Sequence, residues 1–256
     1  MERTSKRENW DKFWDRDRKV EDIYPASDSI IENLAAVTEI KGKRILEVGG
    51  GTGRDSIKLS SMGADVFILD YSDNALYKVR EAAAFSEGSV ELIRGDAMQT
   101  PLRSGSFDIV FHQGLIEHFR DPVPLLKDNV RILKEGGLLL IDVPQKYHIY
   151  TLIKHILILI NKWFAGWETE FTIRELRKFY KDHNLTIDRE YGDYMVPSLF
   201  YRVIRELLKA AGIKLAMYPG KVPVLNSIRK SFKRSLQKRR FMLNTYLTIG
   251  VIGKKE

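Results

Sequence analysis

Arg44-Ile45-Leu46-Glu47-Val48-Gly49-Gly50-Gly51-Thr52-Gly53-Arg54-Asp55 is the stretch on which the reading of this chain turns. The apolar run Ile45, Leu46, Val48 predicts a short buried strand. Glycines at alternate positions (Gly49, Gly51, Gly53), with Gly50 among them, follow it directly. Glycine lets the backbone turn sharply and come close to a ligand where a Cβ would collide. Spacing then separates the candidate ligands. A dinucleotide loop has the form G-x-G-x-x-G, which would require a glycine where Arg54 stands. The pattern present is acidic-x-G-x-G-x-G, with Glu47 as the acidic residue.

Four more stretches follow in order. Ala64-Asp65-Val66-Phe67-Ile68-Leu69-Asp70 reads as a second apolar strand ending in a carboxylate. About twenty residues past the glycines, Asp70 is placed to accept hydrogen bonds from two ribose hydroxyls. The alternative is that Asp70 only caps a helix starting near Tyr71-Ser72-Asp73. Val90-Glu91-Leu92-Ile93-Arg94-Gly95-Asp96-Ala97 predicts a third strand and its turn. Ser106-Phe107-Asp108-Ile109-Val110-Phe111-His112-Gln113-Gly114-Leu115-Ile116-Glu117-His118-Phe119 predicts a fourth strand and its loop, and Leu133-Lys134-Glu135-Gly136-Gly137-Leu138-Leu139-Leu140-Ile141 a turn into a fifth.

Taken together, these residues resemble five motifs of the class I S-adenosylmethionine (SAM)-dependent methyltransferases of type 11, with Glu135 where the family has proline. The resemblance implies an α/β fold, a Rossmann-like seven-stranded class I methyltransferase sheet with helical cap insertions. It also implies SAM as cofactor. On the matching positions, Glu47, Gly49, Gly50, Gly51 and Gly53 would hold the methionine and ribose end, and Asp70, with Tyr71 beside it, the ribose hydroxyls. Asp96 would meet the adenine amine, the Ala97 backbone would lie beside the ring, and His112 or Gln113 would take the methionine amino group.

The chain of 256 residues is long enough for one large domain with a decorated cap. We expect N-terminal lid helices over 1–40, a SAM-binding core over 41–145, an apolar insertion over 146–170, a basic helical insertion over 192–240 and the last strand within 241–256. Alternating strands and helices through residue 145 imply a parallel sheet covered on both faces. Thr172 and Glu175 carry a capping-box signature. Leu185–Tyr191 reads as strand six and Asn244–Ile252 as strand seven, which in the family inserts antiparallel. Residues Met1–Glu8 hold no apolar stretch of the signal-peptide kind, so a cytoplasmic location is expected. With no cysteine, disulfides, thiolate metal sites and covalent cysteine attack on a pyrimidine are all excluded.

Charge is uneven. The formal balance is +8, yet Leu207–Glu256 alone holds twelve Lys or Arg against one acid. The run over 227–240 suits anionic lipid, RNA phosphates or plain solvent. Its sparse aromatics favour lipid over nucleic acid among the binding functions. Residues 147–164 are strongly apolar. Helical spacing puts Ile149, Leu152, Ile153, Ile156, Ile160 and Trp163 on one face. Spanning a bilayer needs roughly 20 apolar residues, and Lys154 interrupts this run. It suits the membrane interface, with Lys154, Lys162 and Trp163 at head-group level, or else a buried cap helix or dimer seam. Its position and character resemble an insertion in the ubiquinone-biosynthesis O-methyltransferases. Those enzymes have extra acidic residues beside the "E-H" step, linked to a divalent metal. Only Glu117 stands here, and no metal is expected.

Methyl transfer from a sulfonium needs alignment and, for oxygen, nitrogen or carbon acceptors, a base. The candidate bases are His118 and His112, followed by Glu117. His118 is equally readable as a satisfied histidine at a helix start. No Asn/Asp-Pro-Pro-Tyr/Phe step follows strand four, which argues against methylation of base or glutamine amines. Asn9-Trp10-Asp11-Lys12-Phe13-Trp14 and Tyr24-Pro25 resemble family segments that fold over the cofactor. The expected function is methyl transfer to a small or lipid-like acceptor, at oxygen, with peripheral membrane contact through 147–164 and 227–240. The alternatives are an RNA methyltransferase using the basic region and a non-catalytic SAM-binding partner subunit.

Overall fold

The computed structural model describes residues 7–14, 28–163, 165, 167–194, 199–210, 212–216 and 243–256. Seven strands form one sheet: β1 (Arg44–Val48), β2 (Asp65–Asp70), β3 (Val90–Arg94), β4 (Phe107–Gln113), β5 (Leu133–Pro144), β6 (Leu185–Asp193) and β7 (Thr248–Lys255). Their order is β3-β2-β1-β4-β5-β7-β6. The first five pair in parallel, and β7 runs antiparallel to both β5 and β6. This is the Rossmann-like class I sheet expected from the sequence.

Parallel strands are buried on both faces and so need apolar residues at successive positions. Leu46, Val48, Val110, Leu139 and Ile141 pack on one side with α5 (Val123–Ile132) and α7 (Ile173–Asp182). The alternate residues Ile45, Ile109, Phe111, Leu138 and Leu140 pack on the other with α2 (Ser29–Ala35) and α3 (Arg54–Ser61). Each such side chain, fully buried, contributes roughly 1.5–3 kcal/mol. The capping box forms as expected: Thr172 Oγ1 accepts the Glu175 N–H, and the Glu175 carboxylate accepts the Thr172 N–H at 2.7 Å. The connection from β1 goes to β2 on one side while β4 pairs on the other, so the strand order reverses between β1 and β4. In open sheets ligands bind beyond the carboxyl ends at that point.

Three expectations are corrected. Strand seven begins at Thr248 rather than Asn244, because the buried side chains of Leu243 and Tyr246 plug the core ahead of it. The expected turn before strand five lies inside β5 as an irregularity, where the pairing jumps from Phe107↔Leu133 to Ile109↔Leu138. β6 extends to Asp193, so the start of the 192–240 insertion belongs to the sheet. In that insertion α8 (Leu199–Ala210) is described, whereas the basic run over 227–240 lies outside the described residues, as does Tyr24-Pro25.

Candidate active site

The glycine loop follows β1 directly. Gly49, Gly51 and Gly53 have φ of 70°, 52° and 63°, in the left-handed region that a Cβ disfavours. Gly50 is required for a different reason, since a Cβ there would lie 2.1 Å from Ile68 Cγ2 on β2. Gly53 then caps the start of α3. Beneath the loop, Glu47 is buried and accepts the Ser56 hydroxyl at 2.6 Å. Burial pushes its carboxyl up to about 8. Ser56 lies on α3, so this bond ties the helix to the strand.

Asp70 ends β2 beside the loop. Its Oδ2 accepts the Gly51 N–H at 3.2 Å and its Oδ1 the Ser72 N–H at 2.9 Å. Burial raises its carboxyl, and the Ser72, Gly51 and Tyr71 N–H groups pull it back. The cap of α4 (Asp73–Ala83) is Ser72, whose hydroxyl accepts the Ala75 N–H, so helix capping does not account for Asp70. Tyr71 is half-buried. One strand further, the Gly95 N–H bonds the Asp70 carbonyl at 3.1 Å, which sets the β3 turn beside β2. In that turn Asp96 accepts the Met98 N–H at 2.9 Å, and Ala97 is buried.

A short helix, α1 (Arg7–Trp14), crosses these elements. Ser72 donates its hydroxyl to Asp11 at 2.9 Å. Trp14 lies against Gly51, and the Trp10 ring meets the His118 ring edge-on at 4.6 Å. One helix therefore touches both the glycine loop and the loop after β4.

That second loop separates the two histidines. His112 is 0 % exposed with both ring nitrogens unpartnered, and burial pushes its pKa down to about 3. A ring sealed inside the sheet has no surface on which an acceptor arrives, which argues against His112 as a base. Gln113 is half-buried and donates to Asp142 at 3.5 Å. Asp142 is itself pushed up to about 7 by burial. His118 stands beyond, in a single turn over Ile116–His118. Burial holds it down at about 4; the Glu168 carboxylate pulls it up, the Lys154 ammonium pushes it down, and the Gly114 carbonyl pulls it up. Glu117, buried next to Glu168, is pushed well above the usual carboxylate range.

Three residues at this end, Glu168, Glu170 and Gln145, were missed by sequence reasoning, and Lys154 is placed differently from the expectation. Lys154 on α6 (Ile149–Leu159) is 2 % exposed, donates to Glu168 Oε2 at 2.8 Å and forms an ion pair with Glu170 Oε1 at 3.0 Å. Glu168 Oε1 accepts the Trp163 indole N–H at 2.8 Å and lies 3.7 Å from His118 Nδ1. Gln145, at the end of β5, is buried with its Nε2 unpartnered. The expected placement of Lys154 at a head-group surface is therefore wrong, since it turns inward to Glu168; Trp163 is half-buried with its indole N–H on the same carboxylate. Two signals were available: a lone cation inside an apolar helix, and glutamates two residues apart in an extended segment, which share a side.

Residues 46–141 match the family described as "Methyltransferase domain". These residues are a SAM-dependent methyltransferase domain. A demethylmenaquinone methyltransferase of Clavibacter sepedonicus is 34% identical over 111 residues, covering 43% of this chain and 45% of that protein. A ubiquinone biosynthesis O-methyltransferase of Xanthomonas campestris is 27% identical over 135 residues, covering 51% and 55%. The chain thus spans about half the length of the curated relatives it matches. Magnesium protoporphyrin IX methyltransferase from Synechocystis, solved with bound SAH, has the same fold. Its TM-score is 0.60 at 16% identity, covering 97% of this chain and 93% of that one.

The cofactor of this domain is SAM, and the loop geometry fits it. A carboxylate offers about four lone-pair positions, so Asp70 retains acceptor capacity for a ribose hydroxyl beyond the backbone N–H groups it takes. The loop carries no side chain from Gly49 to Gly51 that would stand between backbone and ligand.

Proposed function

We propose that the whole chain is a methyltransferase acting at an oxygen of a small, hydroxyl-bearing, lipid-like acceptor, with His118 as general base. Glu47, Gly49, Gly50, Gly51, Gly53, Asp70, Tyr71, Asp96, Ala97 and Gln113 hold the cofactor as the family resemblance implies. The single observation that carries the acceptor half is a set of buried polar atoms without partners beyond the carboxyl ends of β4 and β5. They are Glu117 Oε2, His118 Nδ1 and Gln145 Nε2. Such atoms are rare in folded proteins and call for a polar group to complete them.

When bound, the cofactor supplies an activated methyl group on a sulfonium. The protein's part is to orient the acceptor and receive its proton. His118 is neutral at pH 7, so one ring nitrogen has a lone pair for the acceptor hydroxyl. Trp10 packs on the same ring and limits water at that point. Both curated relatives carry a quinone in their names, which suits a ring bearing hydroxyls.

Support for a lipid-like acceptor comes from α6. Ile149, Leu152, Ile153, Ile156, Leu159 and Ile160 are all exposed, Leu152 at 63% and Leu159 at 71%. Lys146 and Lys162, exposed at its two ends, are the cations an interfacial helix places beside head groups. Among the described residues no helix is long and apolar enough to cross a membrane.

The test is transfer of labelled methyl from SAM to hydroxylated aromatics with and without prenyl tails. Wild type is expected to prefer the tailed phenol and His118→Asn to lose about 100-fold or more in kcat. Equal rates for the two proteins would remove His118 as base. Methylation of RNA alone would move the function to the basic region.

A further inference from the structure

The apolar side of α6 faces outward, and its polar side holds the helix in place. Besides Lys154, the inward Thr151 donates its hydroxyl to the Gln145 carbonyl at 2.7 Å. The Lys154 ammonium is then divided between two carboxylates, each with a second engagement. Glu170 Oε2 lies 2.9 Å from His155 Nε2, and Glu168 Oε1 takes the Trp163 N–H. Glu168 thus contacts both α6 and the turn carrying His118.

We propose that Lys154 is a positioning residue for His118, acting through Glu168, so that the seating of α6 sets the state of the ring at the acceptor end. The argument is one of charge balance. Lys154, Glu168 and Glu170 are each nearly inaccessible to water, so each anion needs a cation inside the protein. While Lys154 stands between them, Glu168 is satisfied and His118 keeps its neutral form. Without Lys154, the basic side chains beside this pair among the described residues are His155, half-exposed beside Glu170, and His118, beside Glu168. His118 then takes a proton to balance Glu168, and a protonated ring cannot act as a base.

Among the described residues the groups facing His118 are few. They are Glu168 from the segment after α6, Lys154 from α6, Glu117 and the Gly114 carbonyl from its own loop, and Trp10 from α1. Asp11, the neighbouring acid on α1, is engaged by Ser72. Removing Lys154 deletes a nearby cation that disfavours the imidazolium, so the midpoint moves up.

This inference rests on His118 being the base, and the experiment separates the two. The imidazole resonances of the full chain are followed through pH, with His118 assigned by its absence in His118→Asn. Lys154→Met is expected to raise the His118 midpoint by at least about one unit, and Lys154→Arg to leave it low. The acid limb of methyl transfer should move with it, about tenfold in proton concentration. Lys154→Met/Glu170→Gln removes one cation and one anion together, and it decides the matter where the single variant does not fold. An unmoved midpoint in a folded variant overturns the proposal. A moved midpoint with His118→Asn fully active would keep the coupling and discard the base.

Discussion

The end of the sheet beyond β1 and β2 and the end beyond β4 and β5 are built on different physics. At the first, the backbone itself approaches the ligand, and residue identity follows from local constraint. Gly49, Gly51 and Gly53 answer to φ, Gly50 to the Ile68 side chain, and Asp70 to two backbone N–H groups beside it. At the second, side chains from far apart in sequence meet. Lys154 pairs with residues beyond its own helix, and Glu168 approaches His118 from another segment altogether. Substitution therefore has different consequences at the two ends: binding is lost at the first and stability at the second.

Lys154→Ala sharpens that contrast most. Leaving Glu168 and Glu170 buried without their ammonium costs about 3–5 kcal/mol, a fall in Tm on the order of 10 °C. Calorimetry of the apo protein checks it. A fall below about 1 kcal/mol would mean that water reaches the carboxylates, and that this end is not a sealed ionic cluster.

Asp70→Ala is the counterpart. Because Ser72 rather than Asp70 caps α4, the helix keeps its start, and the change in stability should be small. Binding of S-adenosylhomocysteine by titration calorimetry should weaken about 100-fold, as expected for the loss of charge-assisted hydrogen bonds. Comparable losses of stability and binding would break the comparison, since Asp70 would then be acting as scaffold.

The same physics explains what was legible beforehand. Glycines, Asp70 and the apolar strands are written locally, in runs shorter than one element, and the parallel part of the sheet follows from their alternation with helices. The start of β7 differs from the expectation because Tyr246 looks like a strand residue yet fills the core from an irregular segment. Lys154 was assigned to the surface because a lone lysine in an apolar helix normally reaches water. Only the distant Glu168 and Glu170 reverse that, and spacing along the chain does not encode their proximity. His112 and His118 are equivalent candidates by type, and burial alone separates them.

The difference in pH dependence between wild type and a Glu47 variant probes the first end. The folded pKa of Glu47 is near 8 against an ordinary 4.5, so the folded state retains a proton there that the unfolded chain has released. The associated stability is complete below about pH 4.5 and is lost as pH rises through about 8, with a slope of about 1.4 kcal/mol per unit. Glu47→Gln keeps the shape and removes that slope, so between pH 6 and 8 its stability should fall less steeply than that of wild type. Asp142, pushed up to about 7, leaves a residual slope in both proteins. Identical profiles would place Glu47 in contact with water.

The smallest effect on stability is expected at the outer side of α6, and there it is informative for being small. Leu152, Ile156 and Leu159 are exposed, so their replacement by serine removes little packing and should change stability by no more than about 0.5 kcal/mol each. The anchor of the helix is Lys154 and Thr151 on the opposite side, which the change leaves intact. Co-sedimentation with anionic vesicles should nevertheless drop sharply, because each leucine or isoleucine withdrawn from the interface forfeits roughly 1.5–3 kcal/mol of transfer. A helix whose apolar residues served the core would give the reverse pattern, with lost stability and unchanged vesicle binding. Lys154→Met adds the other half of the test. If α6 loosens there while its apolar side is unaltered, vesicle binding should persist as the His118 ring changes state, separating the surface that meets lipid from the contact that reaches the site.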